Sequence, residues 1–340
     1  MKNKNFFYIR KCRCCNSKKL KKILNLGNQP LANNLLNNEK EEFYVYPLEL
    51  NYCANCHNCQ LSISVNPSVL FDKYLYLSSV SNTFKTHFKS AAKKYISTLN
   101  LNKNSFIIDI GSNDGVGLMP FKRSGFNNIL GIEPAKNLAK FSKEKGIKTY
   151  NSYFNKKVIK RIRKKADLIL ASNVFAHAHD LRDMAQCMLD ILSLKGSIVI
   201  EVQYLLRTLK DLTFDNIYHE HYNYWSLTSL KYFFEKIGGT IFNAEEIDTH
   251  GGSLRIYIKK GKKIKIDKSV KQMLKDEEKF GIKKFKTYKD FGEKIYKIRE
   301  NVRNNIKKIK DKNSRIIGYG APAKATTALN FFNISEDIDF

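Results

Sequence analysis

The chain has 340 residues, 43% of them apolar and 12% aromatic. That length suits two or three domains, because a single hydrophobic core stops growing near about 250–300 residues. No stretch supplies the roughly 20 uninterrupted apolar residues of a membrane helix, and the basic start MKNKNFFYIRKCRCC lacks both a signal-length apolar run and a cleavage site, so a cytoplasmic protein without a membrane partner is expected.

The formal charge of +28 invites a nucleic-acid partner. Its distribution argues otherwise: the excess is mainly Lys, and segments such as KKGKKIKIDK (259–268) lack the Arg forks that grip phosphates or bases in bidentate fashion. A solvated lysine-rich surface that attracts anionic small molecules is expected instead.

In chain order, six of the seven cysteines come first, in two tight groups: Cys12, Cys14 and Cys15, then Cys53, Cys56 and Cys59. Paired C-x2-C knuckles present thiolates from tight turns at tetrahedral spacing, so Cys12, Cys15, Cys53 and Cys56 are the expected zinc ligands. Cys14, His57 and Cys59 are alternatives. Four thiolates close the coordination shell, which gives the metal a structural role. The stretch YVYPLELNYC (44–53) alternates like a strand, and residues 1–70 read as a zinc-binding module. From Asn82 to about Leu99, Phe84, Phe88, Ala91, Ala92, Tyr95 and Ile96 recur at helical spacing.

From Ser105 onward, apolar strands alternate with amphipathic helices: SFIIDIG, NILGIEP, ADLILAS and GSIVIEV. This predicts a mostly parallel, doubly wound α/β sheet. GGTIFNAEEIDTHGGSLRIYIKK (238–260) reads as two further strands forming an antiparallel edge hairpin. Such a sheet is the class I methyltransferase form of the Rossmann-like architecture. The first strand ends in DIGSNDG (109–115), a tight glycine turn, and the second ends in Glu133, placed to accept hydrogen bonds from two ribose hydroxyls. NAD enzymes share that acid. Here, however, the turn carries Asp109 and Asp114, which repel a pyrophosphate and suit the ammonium of a methionine moiety, so S-adenosylmethionine is the expected cofactor. Asp109, Gly111, Asn113, Asp114, Gly115 and Glu133 form the expected cofactor site. In ASNVFAH (171–177), after the fourth strand, Asn173 and His177 are further pocket candidates.

IYHEHYNYW (217–225) follows the fifth strand and packs two His, one Glu and three Tyr into a short span. Buried, each of these needs a hydrogen-bond partner, so a reactive role is expected. Methylating a carbon beside a carbonyl needs a base and groups that stabilise the enolate. His221 is the expected base, Glu220 orients a ring or contacts substrate directly, and Tyr218 and Tyr222 supply donors.

Beyond this, residues 264–313 predict one or two lysine-rich surface helices, and RIIGYGAPAKATTALNFF (315–332) predicts a strand, a glycine-rich turn and a helix that open a second Rossmann-like unit.

Taken together, CRCC with CANC, YLYLSSVS (74–81), DIGSNDG, SNVFAH, YHEHY, HGGSLR (250–255) and GYGAPAKATT (318–327) resemble the sugar-nucleotide C-methyltransferases of deoxysugar biosynthesis. The resemblance implies an N-terminal zinc-binding domain (1–70), a methyltransferase domain that includes YHEHY (71–262), and lysine-rich helices with the start of a C-terminal Rossmann-like domain (263–340). In that family the last domain continues beyond GYGAPAK, so an incomplete C-terminal α/β segment is expected here. The resemblance further implies methyl transfer to C3 of a nucleotide-linked 4-ketohexose through an enolate, for deoxysugar or surface polysaccharide synthesis. His221 is then the base, Glu220 and Tyr218 flank the sugar, and Tyr76 (or Tyr74) and His177 approach its keto or hydroxyl groups. His250 lies near the site and Lys324 meets the diphosphate. O- or N-methylation, and an RNA-binding or RNA-modifying protein, are the competing functions. The sequence leaves the oligomeric state open, a monomer included.

Overall fold

Short β-branched and aromatic runs bounded by turn residues give most of the strands, as the periodicity predicts. The computed structural model describes residues 5–36, 38, 40–72, 74–249, 251–320 and 322–339. In chain order the strands are β1 (Phe6–Tyr8), β2 (Leu20–Pro30), β3 (Val45–Cys53), β4 (Cys59–Leu61), β5 (Ile63–Val65), β6 (Ile107–Ile110), β7 (Ile129–Glu133), β8 (Thr149–Asn151), β9 (Ala166–Ser172), β10 (Leu192–Gln203), β11 (Asn223–Tyr224), β12 (Gly239–Ile247) and β13 (Ser253–Lys260). The chain divides into two compact units, one of Met1–Asn66, Tyr204–Ser229 and Asp276–Phe340, the other of Pro67–Gln203 and Leu230–Lys275.

The second unit holds a seven-stranded sheet in the order β12-β13-β10-β9-β6-β7-β8. Strands β8 to β10 pair in parallel through β7, β6 and β9, while β13 joins β10 and β12 in antiparallel fashion. This is the Rossmann-like class I methyltransferase sheet with its edge hairpin. Parallel strands buried on both faces read as continuous apolar runs, which is why all of Ile107–Ile110 and Ile129–Glu133 are buried. The helix Asn82–Thr98 starts at Ser81, whose hydroxyl accepts the Phe84 N–H at 3.3 Å. Its Ala91, Ala92 and Tyr95 pack with Ile107, Leu168, Val199 and Tyr257 on one face of the sheet.

The first unit is built on a four-stranded antiparallel sheet ordered β11-β4-β3-β2. Its first edge strand comes from far along the chain: Asn223 and Tyr224 pair with Gln60 and Cys59. The segment 217–225 is therefore stitched into the zinc module's sheet and is no part of the seven-stranded one. A carboxylate holds its exit. Fully buried Glu277 accepts the N–H groups of Leu227 and Thr228 at 2.6 and 2.8 Å, capping the helix Leu227–Lys236. Its start is held by the helix Ala323–Phe332, where the Thr327 hydroxyl donates to Ile217 O at 3.1 Å.

The lysine-rich region forms two helices, Lys268–Phe280 and Phe285–Lys310. The strand expected at the start of 315–332 is not formed: residues 314–320 are irregular, with Ile317 and Tyr319 exposed. Apolar residues there suggest a strand, but no neighbour among the described residues offers a ladder to pair with, so only the helix of the expected unit is present.

Candidate active site

The metal site lies in the first unit. The sulfurs of Cys12, Cys15, Cys53 and Cys56 all lie within 4.8 Å of one another, with Cys12 to Cys56 at 3.4 Å and Cys15 to Cys53 at 3.6 Å. A Zn–S bond of about 2.3 Å implies tetrahedral S–S edges of roughly 3.8 Å, so the donor set fits zinc in both chemistry and size. Four thiolates this close repel one another unless a dication sits among them. The alternatives are otherwise engaged: the His57 ring meets the Tyr52 hydroxyl at 2.6 Å, and Cys14 lies 3.9 Å from Ser229 O. This is a four-cysteine zinc-binding site.

In the second unit, the turns after β6 and β9 abut where the strand order reverses, the crevice in which open α/β sheets bind ligands. Gly111 sits at φ +65°, and a Cβ there would lie 2.6 Å from Val174 Cγ2, so no side chain fits. Asn113 and Asn173 also take positive φ, 50° and 57°, as Asn tolerates. The carboxylate of Glu133 is buried, accepting the N–H groups of Asn113 and Ala135 at 2.8 and 2.9 Å. Burial raises Glu133 to about 6 against the pull of those two bonds. Asp109 is pushed to about 8, first by burial and then by the charges of Glu133 and Glu201. Among the described residues nothing hydrogen-bonds its carboxylate. Asp114 is differently placed: Oδ2 meets Lys145 Nζ at 2.7 Å, while buried Oδ1 has no partner among the described residues. A buried acid with no cation beside it among the described residues, a second buried carboxylate and a glycine turn fit an adenosine donor bearing positive charge.

The serine-rich loop is pinned to the same turn. Asn113 donates to Tyr76 O at 3.0 Å and accepts the Ser78 N–H at 3.1 Å, while Asn137 donates to Tyr74 O at 2.8 Å. Tyr76, partly exposed, thus joins the cofactor-turn residues, and His177 stacks on Phe71 with ring centroids 5.5 Å apart. Gly115, at φ +83°, ends the turn.

The 217–225 segment collects its own group in the first unit. The Tyr218 and His221 rings lie 4.3 Å apart. His221 Nδ1 lies 3.1 Å from Asn216 O; a carbonyl only accepts, so in a hydrogen bond there Nδ1 donates. Glu220, buried, accepts from Asn33 Nδ2 at 2.5 Å. Tyr222 is not placed as a substrate donor: it is fully buried, and its hydroxyl donates to Val65 O at 2.6 Å. His219 is likewise buried, held near 4 chiefly by burial, and donates to Pro47 O at 3.3 Å. Lys324 stands half-buried on the first turn of Ala323–Phe332. His250 lies outside the described residues. The residues of the turns after β6 and β9 and those of the 217–225 segment thus belong to different compact units.

Sequence reasoning missed a buried network in the second unit. Glu201 on β10 accepts from Tyr95 Oη, Arg255 Nε and His87 Nε2 at 2.7, 2.7 and 2.8 Å. Arg255 and Tyr257 in turn donate to Glu245 at 3.0 and 2.7 Å, and Lys94 also pairs with Glu245. Burial alone would raise Glu201, but the His87, Arg255 and Tyr95 partners outweigh it and hold the acid near 2. The available signal was a Glu inside the apolar run GSIVIEV, since a buried charge demands partners.

A zinc binding domain family matches residues 12–71, a methyltransferase domain family residues 84–242, and a C-methyltransferase C-terminal domain family residues 248–340. Among curated proteins the chain is similar to the C-methyltransferase NovU of Streptomyces niveus, 29% identical over 327 residues, or 94% of this chain and 78% of that one. Solved structures similar to it include an S-adenosylmethionine-dependent methyltransferase from Clostridium acetobutylicum, with TM-score 0.43 and 10% identity over 52% of this chain and 92% of that one. Another is magnesium protoporphyrin IX methyltransferase from Synechocystis with bound SAH, with TM-score 0.41 and 12% identity over 51% and 82%. The chain is an S-adenosylmethionine-dependent methyltransferase. Its zinc-binding, methyltransferase and C-methyltransferase domains, in that order, make it a C-methyltransferase related to NovU.

Proposed function

We propose that the protein methylates the carbon beside the ketone of a nucleotide-linked 4-ketosugar, in the synthesis of a deoxysugar or surface polysaccharide. The observation that supports this is the placing of His221, whose Nδ1 lies 3.1 Å from Asn216 O and whose ring lies 4.3 Å from that of Tyr218, with Nε2 as the proposed base atom. Nε2 removes the proton on the carbon next to the carbonyl. The Tyr218 hydroxyl supplies a donor for the enolate oxygen, and Glu220 holds a sugar hydroxyl. S-adenosylmethionine, when bound, supplies an electrophilic methyl group on a sulfonium. Asp109, Gly111, Asn113, Gly115, Glu133 and Asn173 hold it, with Glu133 on the ribose and Asp109 on the cationic methionine end. Lys324, together with the lysine-rich surface, favours the diphosphate.

Methyl-labelled cofactor incubated with a panel of nucleoside-diphosphate 4-ketohexoses tests the function. NMR is expected to place the label on carbon; no transfer to any member, or label on oxygen, refutes it. His221→Asn should lower kcat about a hundredfold and abolish exchange of the substrate's acidic C–H with solvent deuterium, leaving cofactor affinity unchanged. Retention of that exchange removes His221 as the base.

Asp109 gives a pH dependence of known sign. Its carboxyl is raised to about 8 by burial and by Glu133 and Glu201, so below that pH a cationic ligand must displace a proton to bind. Affinity for S-adenosylmethionine, measured by calorimetry, should therefore climb with pH by up to about tenfold per unit and level off near 8. In Asp109→Asn the slope should vanish; an unchanged slope in that variant places the cationic contact elsewhere.

A further inference from the structure

We infer that Asn33, on the turn following β2, is a positioning residue for Glu220, and that the zinc module thereby builds part of the substrate site. Nothing in the sequence marks Asn33 out from its neighbours in LANNLL (31–36). In the structure its amide reaches a buried carboxylate 187 positions away at 2.5 Å. The topology makes that contact informative. Asn33 follows β2 at one edge of the four-stranded sheet, and Glu220 precedes β11 at the other, so the bond ties together the segments that lead from its two edge strands.

Two further bonds run the same way. His219 Nε2 donates to Pro47 O on β3, and Tyr222 Oη to Val65 O on β5. These two fix the backbone on either side of Glu220, yet neither touches its carboxylate. The Asn33 bond alone among the three acts on the group that bears charge. A bond from an amide to a carboxylate oxygen fixes the rotation of the carboxylate and so the direction its oxygens face. That is what a residue gripping a sugar hydroxyl requires, and it goes beyond what is needed to hold a loop in place.

This assignment rests on Glu220 meeting substrate, so the experiment separates the two. Full-length Asn33→Ala, Asn33→Asp, Glu220→Gln and the Asn33→Ala/Glu220→Gln double variant are compared with the parent on the ketosugar nucleotide that turns over in the panel. Zinc content and S-adenosylhomocysteine affinity serve as folding controls. Asn33→Ala should lower kcat/KM about tenfold to a hundredfold, and the double variant should be no worse than Glu220→Gln alone.

Asn33→Asp supplies a readout that a structural role would not move. Two facing carboxylates must share a proton, and the protonated pair restores the donated bond, so this variant's activity relative to the parent should recover as pH falls. A flat ratio, or losses that simply add in the double variant, overturns the role of Asn33 while leaving Glu220 standing. A fully active Glu220→Gln instead removes the role of Glu220. Without any substrate, the Asn33 side-chain amide, followed by nitrogen-15 NMR in asparagine-labelled protein, should shift in Glu220→Gln; an unmoved amide overturns the contact itself.

Discussion

Stripping the metal, or replacing Cys53 and Cys56 together by Ser, is expected to abolish methyl transfer while leaving S-adenosylhomocysteine binding intact. Structural zinc sites contribute about 10–16 kcal/mol of apparent binding free energy, which in small modules is folding free energy. Here that energy is spent beside the strand that anchors the 217–225 segment. Cys53 ends β3, Cys56 lies in the turn that follows, and β4 pairs with β11 directly after the His221 segment. Releasing the metal frees the β3–β4 turn, and with it the strand that anchors 217–225 and the sheet that carries Asn33. The cofactor turn belongs to the other compact unit, whose core needs none of these residues. Calorimetry with S-adenosylhomocysteine before and after chelation, alongside turnover, reads both halves. Full turnover in metal-free protein would show that the sheet stands without its knuckles.

Arg255→Leu is expected to cost about 3–5 kcal/mol in unfolding free energy, the usual penalty for stranding one partner of a buried ion pair. Glu245, Arg255 and Glu201 lie in register on β12, β13 and β10, so the guanidinium is shared by a carboxylate on each side. Its removal leaves Glu201 buried with only His87 and Tyr95 as the donors described above. The effect has a pH signature. Glu201 is depressed from 4.5 to about 2 in the folded protein, so its stabilisation is present above 4.5 and is lost as pH falls toward 2. The gap between parent and variant in urea unfolding should therefore be full at neutral pH and narrow in acid. A difference below about 1 kcal/mol at pH 7 would mean that the network contributes no more than a surface pair.

Much of this was legible in the sequence because it is local. The strands around Ile108, Ile132 and Leu170, the turn at Gly111 and the knuckles at Cys12 and Cys53 each announce themselves within a few residues. What escaped depends on distant pairing. β11 is two residues long and carries no periodicity, so nothing near Tyr224 reveals that it joins Cys59 and draws the YHEHY segment into the zinc module's sheet. Tyr222 looked like a donor because composition cannot tell which of several tyrosines turns inward to Val65. Asn33 stood in an asparagine-rich stretch, and His87 on an otherwise apolar helical face. In the opposite direction, Ile316 and Ile317 had the composition of a strand, but among the described residues no strand pairs with them.

The late arrival of β11 has a consequence on the ribosome. Asn58, immediately before β4, and Asn223 on β11 are hydrogen-bonded 165 positions apart. At roughly 5–20 residues per second, the nascent chain waits some 8–33 s between exposing the metal-loaded knuckles and delivering the strand that covers them. During that interval β4 presents an open hydrogen-bonding edge. Slowing translation between these two strands should lengthen the exposure and lower the yield of properly assembled enzyme, even with the amino-acid sequence unchanged.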